Sequence, residues 1–182
     1  MNRFNLVNWG APLTGAQVDR IEKAASSISL HTGKVSKHNI EPGEELRVTD
    51  VGFFHPKEHE EVFQLAEMLV YEANKNYYGF NIEGIAEIQY GVYTEGSHYD
   101  WHVDIDWDGD STFDRKITII IMLSDPSDYE GGEVHFEGDH TISSPDRGTI
   151  VSFPSYTPHK VDKVTKGVRK TMVIWAEGPR FV

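Results

Sequence analysis

The sequence predicts a mainly β fold, a double-sheet jelly roll with helices packed outside one sheet. Three observations carry this expectation. Helical periodicity is confined to the first 80 or so residues, in two segments. From about Gly84 onward, short β-rich runs alternate with turn residues roughly every ten positions. No repeat, low-complexity tract or linker divides the 182 residues. A single domain over 1–182 is therefore expected, with 1–80 as helical N-terminal support and 84–177 as the β core.

The first helix should follow Thr14, because Ala16, Val18, Ile21, Ala24 and Ala25 recur at helical spacing and Thr14 or Gly15 can cap it. Residues 33–50 are polar and broken by Pro42-Gly43, so they read as loop with a short strand at Leu46-Arg47-Val48. The second helix takes Pro56 in its first turn, carries the stripe Val62, Leu65, Ala66, Leu69, Val70 and Ala73, and stops near Asn76 to Gly79. Strands are expected at about 85–94, 98–104, 115–123, 132–136, 140–143, 148–153, 159–164 and 168–177. Glu95-Gly96, Asp108-Gly109, Gly131-Gly132, Glu137-Gly138, Pro145-Asp146, Pro154 and Lys166-Gly167 punctuate them.

Hydrophobic residues make up 38% of the chain and aromatics 12%, which suits a packed globule and not a disordered chain. The net charge of −12 argues against nucleic-acid partners, which need clustered Lys and Arg. It suits a basic peptide or a neutral small substrate. With no Cys, disulfides and thiolate metal sites are excluded. Met1-Asn2-Arg3-Phe4-Asn5 precedes no apolar signal core, and no run approaches membrane-spanning length. A cytoplasmic protein with no membrane partner is expected, and nothing in the sequence sets an oligomeric state.

The residues that carry chemistry are His102-Val103-Asp104, Pro158-His159 and Arg169. On a strand, His102 and Asp104 would share a face and bring an imidazole and a carboxylate side by side. His159 would have to arrive from another strand. Two His and one carboxylate leave coordination positions open, as in non-haem Fe(II) oxygenases. Alternation over Val168 to Trp175 puts Arg169, Thr171, Val173 and Trp175 on one face. Lys170, Met172 and Ile174 take the other. Arg169 is then an internal salt-bridge partner, a surface cation, or a clamp for the distal carboxylate of 2-oxoglutarate. Thr171 can offer a hydroxyl to the same carboxylate.

Two other patterns read as coincidences. Asp104-Ile105-Asp106-Trp107-Asp108-Gly109 begins like a calcium loop, but the twelfth position, which should be Glu, is Arg115. Asp106, Asp108, Asp110 and Asp114 read better as a solvated acidic turn rimming the site. His55-Pro56-Lys57-Glu58-His59 has two His bracketing a Glu, as in zinc proteases. Pro56 would leave His55 outside the helix, so two structural surface histidines are expected. Trp101, Trp107, Phe113 and Tyr129 can line a substrate groove or belong to the core.

Taken together, these motifs resemble a known family. Tyr93-Thr94-Glu95-Gly96-Ser97-His98-Tyr99-Asp100-Trp101-His102-Val103-Asp104 is similar to the Tyr-x-x-Gly-x-x-Tyr-x-x-His-x-Asp segment of prolyl-4-hydroxylase-like 2-oxoglutarate/Fe(II) dioxygenases. Leu123 through Gly131-Gly132-Glu133 resembles the strand and turn of the bacterial and phage PKHD-type branch. His159-Lys160-Val161 through Val164-Thr165-Lys166-Gly167-Val168-Arg169 resembles its His-x-Val…Val-Thr-x-Gly-x-Arg. The likeness runs from about Leu46 to Trp175.

It implies a double-stranded β-helix, with Fe(II) on His102, Asp104 and His159 and 2-oxoglutarate on Arg169. Tyr93 would hydrogen-bond the co-substrate. O2 would be consumed, ascorbate would help as reductant, and a C–H bond of a peptidyl, prolyl-like residue or a small molecule would be hydroxylated, with release of succinate and CO2. Relatives often carry a Tyr where this chain has Met122, so Thr171, water or another group would take its share of the distal carboxylate. The alternatives are a non-catalytic cupin-like metal-binding jelly roll and a carbohydrate- or protein-binding sandwich.

Overall fold

The computed structural model describes residues 6–35, 45–138, 140–143 and 145–182. The Pro42-Gly43 break and the first five residues lie outside them. Thirteen strands occur among the described residues. They are β1 (Val7–Asn8), β2 (His31–Val35), β3 (Arg47–Phe53), β4 (Gly84–Tyr93), β5 (His98–His102), β6 (Phe113–Met122) and β7 (Tyr129–Gly131), then β8 (Val134–Phe136), β9 (His140–Ile142), β10 (Ile150–Pro154), β11 (His159–Val161), β12 (Val164–Gly167) and β13 (Arg169–Pro179). All but β7 and β12, which pair with each other, join one antiparallel sheet of order β1-β10-β6-β13-β4-β3-β5-β11-β8-β9, with β2 on β3.

Alternation along the central strands divides the sheet into two faces. Ile117, Ile119 and Ile121 of β6, Ile88 of β4, and Met172 and Ile174 of β13 are buried on the outer face, against two helices. These helices are α1 (Gly15–Ala25), through Val18 and Ile21, and α2 (Glu60–Ala73), through Ala66 and Leu69. Each fully buried Ile contributes about 1.5–3 kcal/mol, so this layer fixes which face the partner residues of β4, β6 and β13 present inward. The inner face joins Tyr93, Ile120 and Met122 to Val134, Phe136, Phe153 and Val161, which come from opposite ends of the strand order. One cluster can span both ends only if the sheet curls over on itself, which is the jelly roll expected.

Thr14 caps α1 as expected, in a reciprocal capping box with Gln17. The α2 expectation needs correction at its start. Pro56 lies in a turn before the helix, and His59 is the N-cap. His59 is buried, 6% exposed, and its Nδ1 accepts the His55 amide at 3.0 Å, so it is not a surface histidine. After Ala73 the chain widens into a π-helical turn over Asn74–Tyr78, which Gly79 ends at φ 65°, within the stop expected near Asn76 to Gly79. The segment before residue 80 is not only helical support, since β2 and β3 extend the sheet. The expected strand 159–164 is two strands, β11 and β12, belonging to different ladders. No described helix is long and apolar enough to cross a membrane.

Candidate metal centre and its cavity

His102 closes β5, and β11 lies antiparallel to β5 with His159 opposite His102. This pairing brings together residues 57 positions apart in sequence. Asp104 is not on the strand, as the 98–104 expectation had it. It sits in the bend beyond, where its amide donates to the Ser155 carbonyl at 2.8 Å. The bend still carries its carboxylate to the same place. His102 Nε2 stands 3.5 Å from Asp104 Oδ1, and His159 Nε2 stands 3.6 Å from Oδ2. All three candidate ligand atoms lie within 4.8 Å of one another.

Each ligand is oriented from behind. His102 Nδ1 donates to the Asp100 carbonyl at 2.8 Å, and His159 Nδ1 donates to the Thr157 carbonyl at 2.9 Å. That places the proton on Nδ1 and the lone pair of each Nε2 toward Asp104. Thr118 donates to Asp104 Oδ2 at 2.7 Å and shares its hydroxyl with Ser155 at 3.0 Å. Burial acts to raise the Asp104 carboxyl, but the charge that His159 carries in acid and the hydrogen bonds that protonated His102 and Thr118 then donate outweigh it. They hold the group well below the usual carboxylate range. Burial pushes the His159 imidazole down to about 4, so it is neutral at ordinary pH. Two imidazole Nε2 atoms and a carboxylate converge in one buried spot, within reach of a single cation. The donor set therefore fits a divalent metal.

The same cavity, about 480 Å³, is lined by Arg169, Thr171 and Tyr93. Arg169 is 2% exposed. Its neighbours are the Tyr93 ring, 5.2 Å from the guanidinium carbon, and Met122 Sδ, 3.7 Å from Nη2. Tyr129 also stands beside it, and the guanidinium charge offsets part of the rise that burial gives this phenol. Among the described residues no carboxylate pairs with Arg169, and its buried Nε has no hydrogen-bond partner. The internal salt bridge and the surface cation are thereby removed. Gly132, at φ 70°, makes room for the arginine, since a Cβ there would lie 2.7 Å from Arg169 Cδ. Tyr93 pairs directly with Arg169 across β4 and β13, and Thr171 projects from the next inward position of β13.

Several contributors were not anticipated. Thr118 was the most visible of these, a lone hydroxyl in the run Ile117-Thr118-Ile119-Ile120-Ile121, where a fully buried polar group needs a partner. Arg47, Gln89 and Arg115 also line the cavity. The aromatic lining is Phe53, Tyr93, Tyr99 and Trp175, not Trp101, Trp107, Phe113 or Tyr129. Tyr99 lies flat on His102, with ring centroids 3.4 Å apart and planes at 7°. Of the acidic loop, Asp106 reaches the cavity wall and Asp108 and Asp110 are exposed. Asp114 is buried, 4% exposed, and accepts the Phe181 amide, so it is no part of a solvated turn.

Comparison with known proteins agrees with this geometry. The chain is 34% identical over 95 residues to a PKHD-type hydroxylase of Aliarcobacter butzleri, covering 48% of this chain and 42% of that protein. It is 40% identical over 85 residues to one of Synechococcus sp. (strain CC9902), covering 45% and 37%. The matches thus span less than half the length of these relatives. The fold is shared with the viral collagen prolyl hydroxylase of Paramecium Bursaria Chlorella virus-1 in its 2OG complex, at TM-score 0.72 and 20% identity over 97% of both chains. A Trichoplax adhaerens prolyl hydroxylase in complex with a hypoxia inducible factor peptide fragment shares it too, at TM-score 0.67 and 15% identity, over 97% of this chain and 84% of that one. Residues 88–177 match the 2OG-Fe(II) oxygenase superfamily. This segment, about half of the chain, contains all three candidate ligands and Arg169.

Proposed function

We propose that the protein is a 2-oxoglutarate- and Fe(II)-dependent dioxygenase that hydroxylates a C–H bond of a peptidyl, prolyl-like residue. The observation that carries this reading is the buried, unmatched Arg169 in the same cavity as the His102, Asp104 and His159 cluster. A metal-binding jelly roll without catalysis has no use for such a cation. A dicarboxylate co-substrate does, because one carboxylate can reach the metal while the other meets the guanidinium.

His102, Asp104 and His159 would hold ferrous iron. Bound there, iron would supply O2 activation, coupling decarboxylation of 2-oxoglutarate to succinate and CO2 with oxidation of the substrate C–H bond. The residues of the chain provide orientation. Thr118 and the Asp100 and Thr157 carbonyls fix the ligand atoms. Arg169 and Thr171 grip the distal carboxylate, and Tyr93 lies beneath the guanidinium. Met122 occupies the place where relatives often carry a Tyr, and offers only a thioether to Arg169, which leaves Thr171 as the neighbouring hydroxyl. The peptide-bound fold neighbour supports a peptidyl substrate. The test is turnover of 2-oxoglutarate to succinate with Fe(II), O2 and ascorbate, screened against a peptide library for a mass gain of one oxygen. Succinate formation that persists in His159→Ala would refute the ligand assignment.

A further inference from the structure

The cavity holds a second arginine whose charge no carboxylate among the described residues matches. Three of the chain's seven arginines line it: Arg47, Arg115 and Arg169. Arg115 is matched. It pairs with Glu87, stacks on Trp175 at 4.1 Å, and reaches the Asp104 carbonyl at 3.5 Å. Arg169 is accounted for by the co-substrate. Arg47, at the start of β3, has neither kind of explanation. Among the described residues its one hydrogen bond is from Nη2 to Gln89 Oε1, 3.1 Å, and its Nε is buried with no partner. Among the described residues no carboxylate pairs with it. A purely structural arginine would have its buried donors satisfied, because an orphaned donor is costly.

The position of Arg47 is informative. Its guanidinium lies 4.8 Å from the centre of the Tyr99 ring, and Tyr99 lies flat on His102. Arg47 is thus one aromatic ring removed from a metal ligand, on the wall formed by β3 and β5. Arg169 approaches from β13. Gln89, 4% exposed, takes one Arg47 hydrogen and leaves its amide NH2 as a further donor on the same wall. The acidic residues that line the cavity are already engaged. Glu87 is held by Arg115, Asp104 is a candidate ligand, and the Asp106 carboxylate accepts the Asp108 amide at 3.2 Å. A planar donor fork beside a neutral amide donor suits a carboxylate.

We infer that Arg47, with Gln89, is a specificity-determining site for a carboxylate on the primary substrate, separate from the co-substrate carboxylate that Arg169 takes. This rests on the dioxygenase reading and narrows it to substrate residues or small molecules bearing a carboxylate close to the oxidised carbon. A main-chain terminus and an acidic side chain both offer that carboxylate, and the titration below distinguishes them.

Zn(II), which does not turn over, and saturating 2-oxoglutarate fill the metal and Arg169 sites. Three probes are then titrated by calorimetry: N-acetyl-L-proline, N-acetyl-L-glutamate α-amide and N-acetyl-L-prolinamide. At least one acid is expected to bind tenfold or more tightly than the prolinamide. Whichever acid binds better identifies the carboxylate as main-chain or side-chain. Arg47→Gln should bring the ratio of acid to amide affinity near one. Arg47→Lys, which keeps the charge without the fork, should weaken the acid at least threefold and covers the case in which Arg47→Gln does not fold. Equal affinity of acids and amide, absence of acid binding, or an acid preference unchanged by either substitution would overturn the inference. The same titration on metal-free protein separates the two readings. Wild-type protein that takes up neither Zn(II) nor 2-oxoglutarate contradicts the dioxygenase reading, while an Arg47-dependent acid preference would still stand.

Discussion

At the His102–Asp104–His159 end of the cavity, every group is held in place by the protein itself. Two backbone carbonyls orient the imidazoles, and Thr118 and Ser155 anchor the carboxylate. At the Arg169 end the arrangement is the reverse. A cation is buried beside a thioether and two tyrosines, Tyr93 and Tyr129, with no carboxylate among the described residues and Nε unpartnered. Both ends cost stability when empty, but for different reasons. The metal end buries a carboxylate that a cation would neutralise, and the arginine end buries a charge that an anion would neutralise. The difference teaches that the cavity is organised for two ligands of opposite charge, and it can be probed by altering one end at a time.

The largest effect is expected at the metal end. His102→Ala or His159→Ala should abolish Fe(II) binding and succinate formation, read by metal analysis and succinate assay. Arg169→Met should leave Fe(II) binding in place and raise the 2-oxoglutarate requirement about 10- to 100-fold, as loss of a charge-assisted pair does. The same substitution should leave the metal-free protein equally stable or stabilise it by about 1–4 kcal/mol, since it removes an unmatched buried cation. A large destabilisation in thermal melts would show that Arg169 has a structural partner after all. Thr118→Val should weaken metal affinity about tenfold by releasing Asp104, with a smaller effect on 2-oxoglutarate.

The smallest effect is on pH dependence without metal. The His159 imidazole is held down at about 4 in the folded chain, below the ordinary 6.5. The unfolded chain therefore takes up its proton first as pH falls, so stability from this group is full above 6.5 and is lost between 6.5 and about 4. Melting temperature of the metal-free wild type should drop across that window, and His159→Gln should flatten the drop.

Much of this was legible in the sequence, for physical reasons that differ from residue to residue. His102 and Asp104 were legible because their spacing is local, and Arg169 because a cation within an apolar strand must either be matched or have a use. His159 was legible as a residue but not as a neighbour, since only the β5–β11 pairing brings it to His102. Strand β2 was missed because His31-Thr32-Gly33-Lys34 lacks apolar alternation. It forms instead by pairing along β3 from His31 opposite Val51 onward. Arg47 was hidden for a related reason. It fell in a short strand expected next to a polar loop, and nothing local says that β3 lies between β4 and β5 and faces the cavity. The His59 error arose from Pro56, which marks a turn one step before the helix and so left the N-cap, and its burial, unread.

The central claim is that one cavity takes a metal at three side chains and a dicarboxylate at Arg169 together. Its most direct test is calorimetric titration of 2-oxoglutarate into anaerobic protein with and without Fe(II), for wild type and Arg169→Met. One 2-oxoglutarate per iron, bound tightly only when both iron and Arg169 are present, is the predicted result. Binding of equal strength without iron, or unchanged by Arg169→Met, would contradict it.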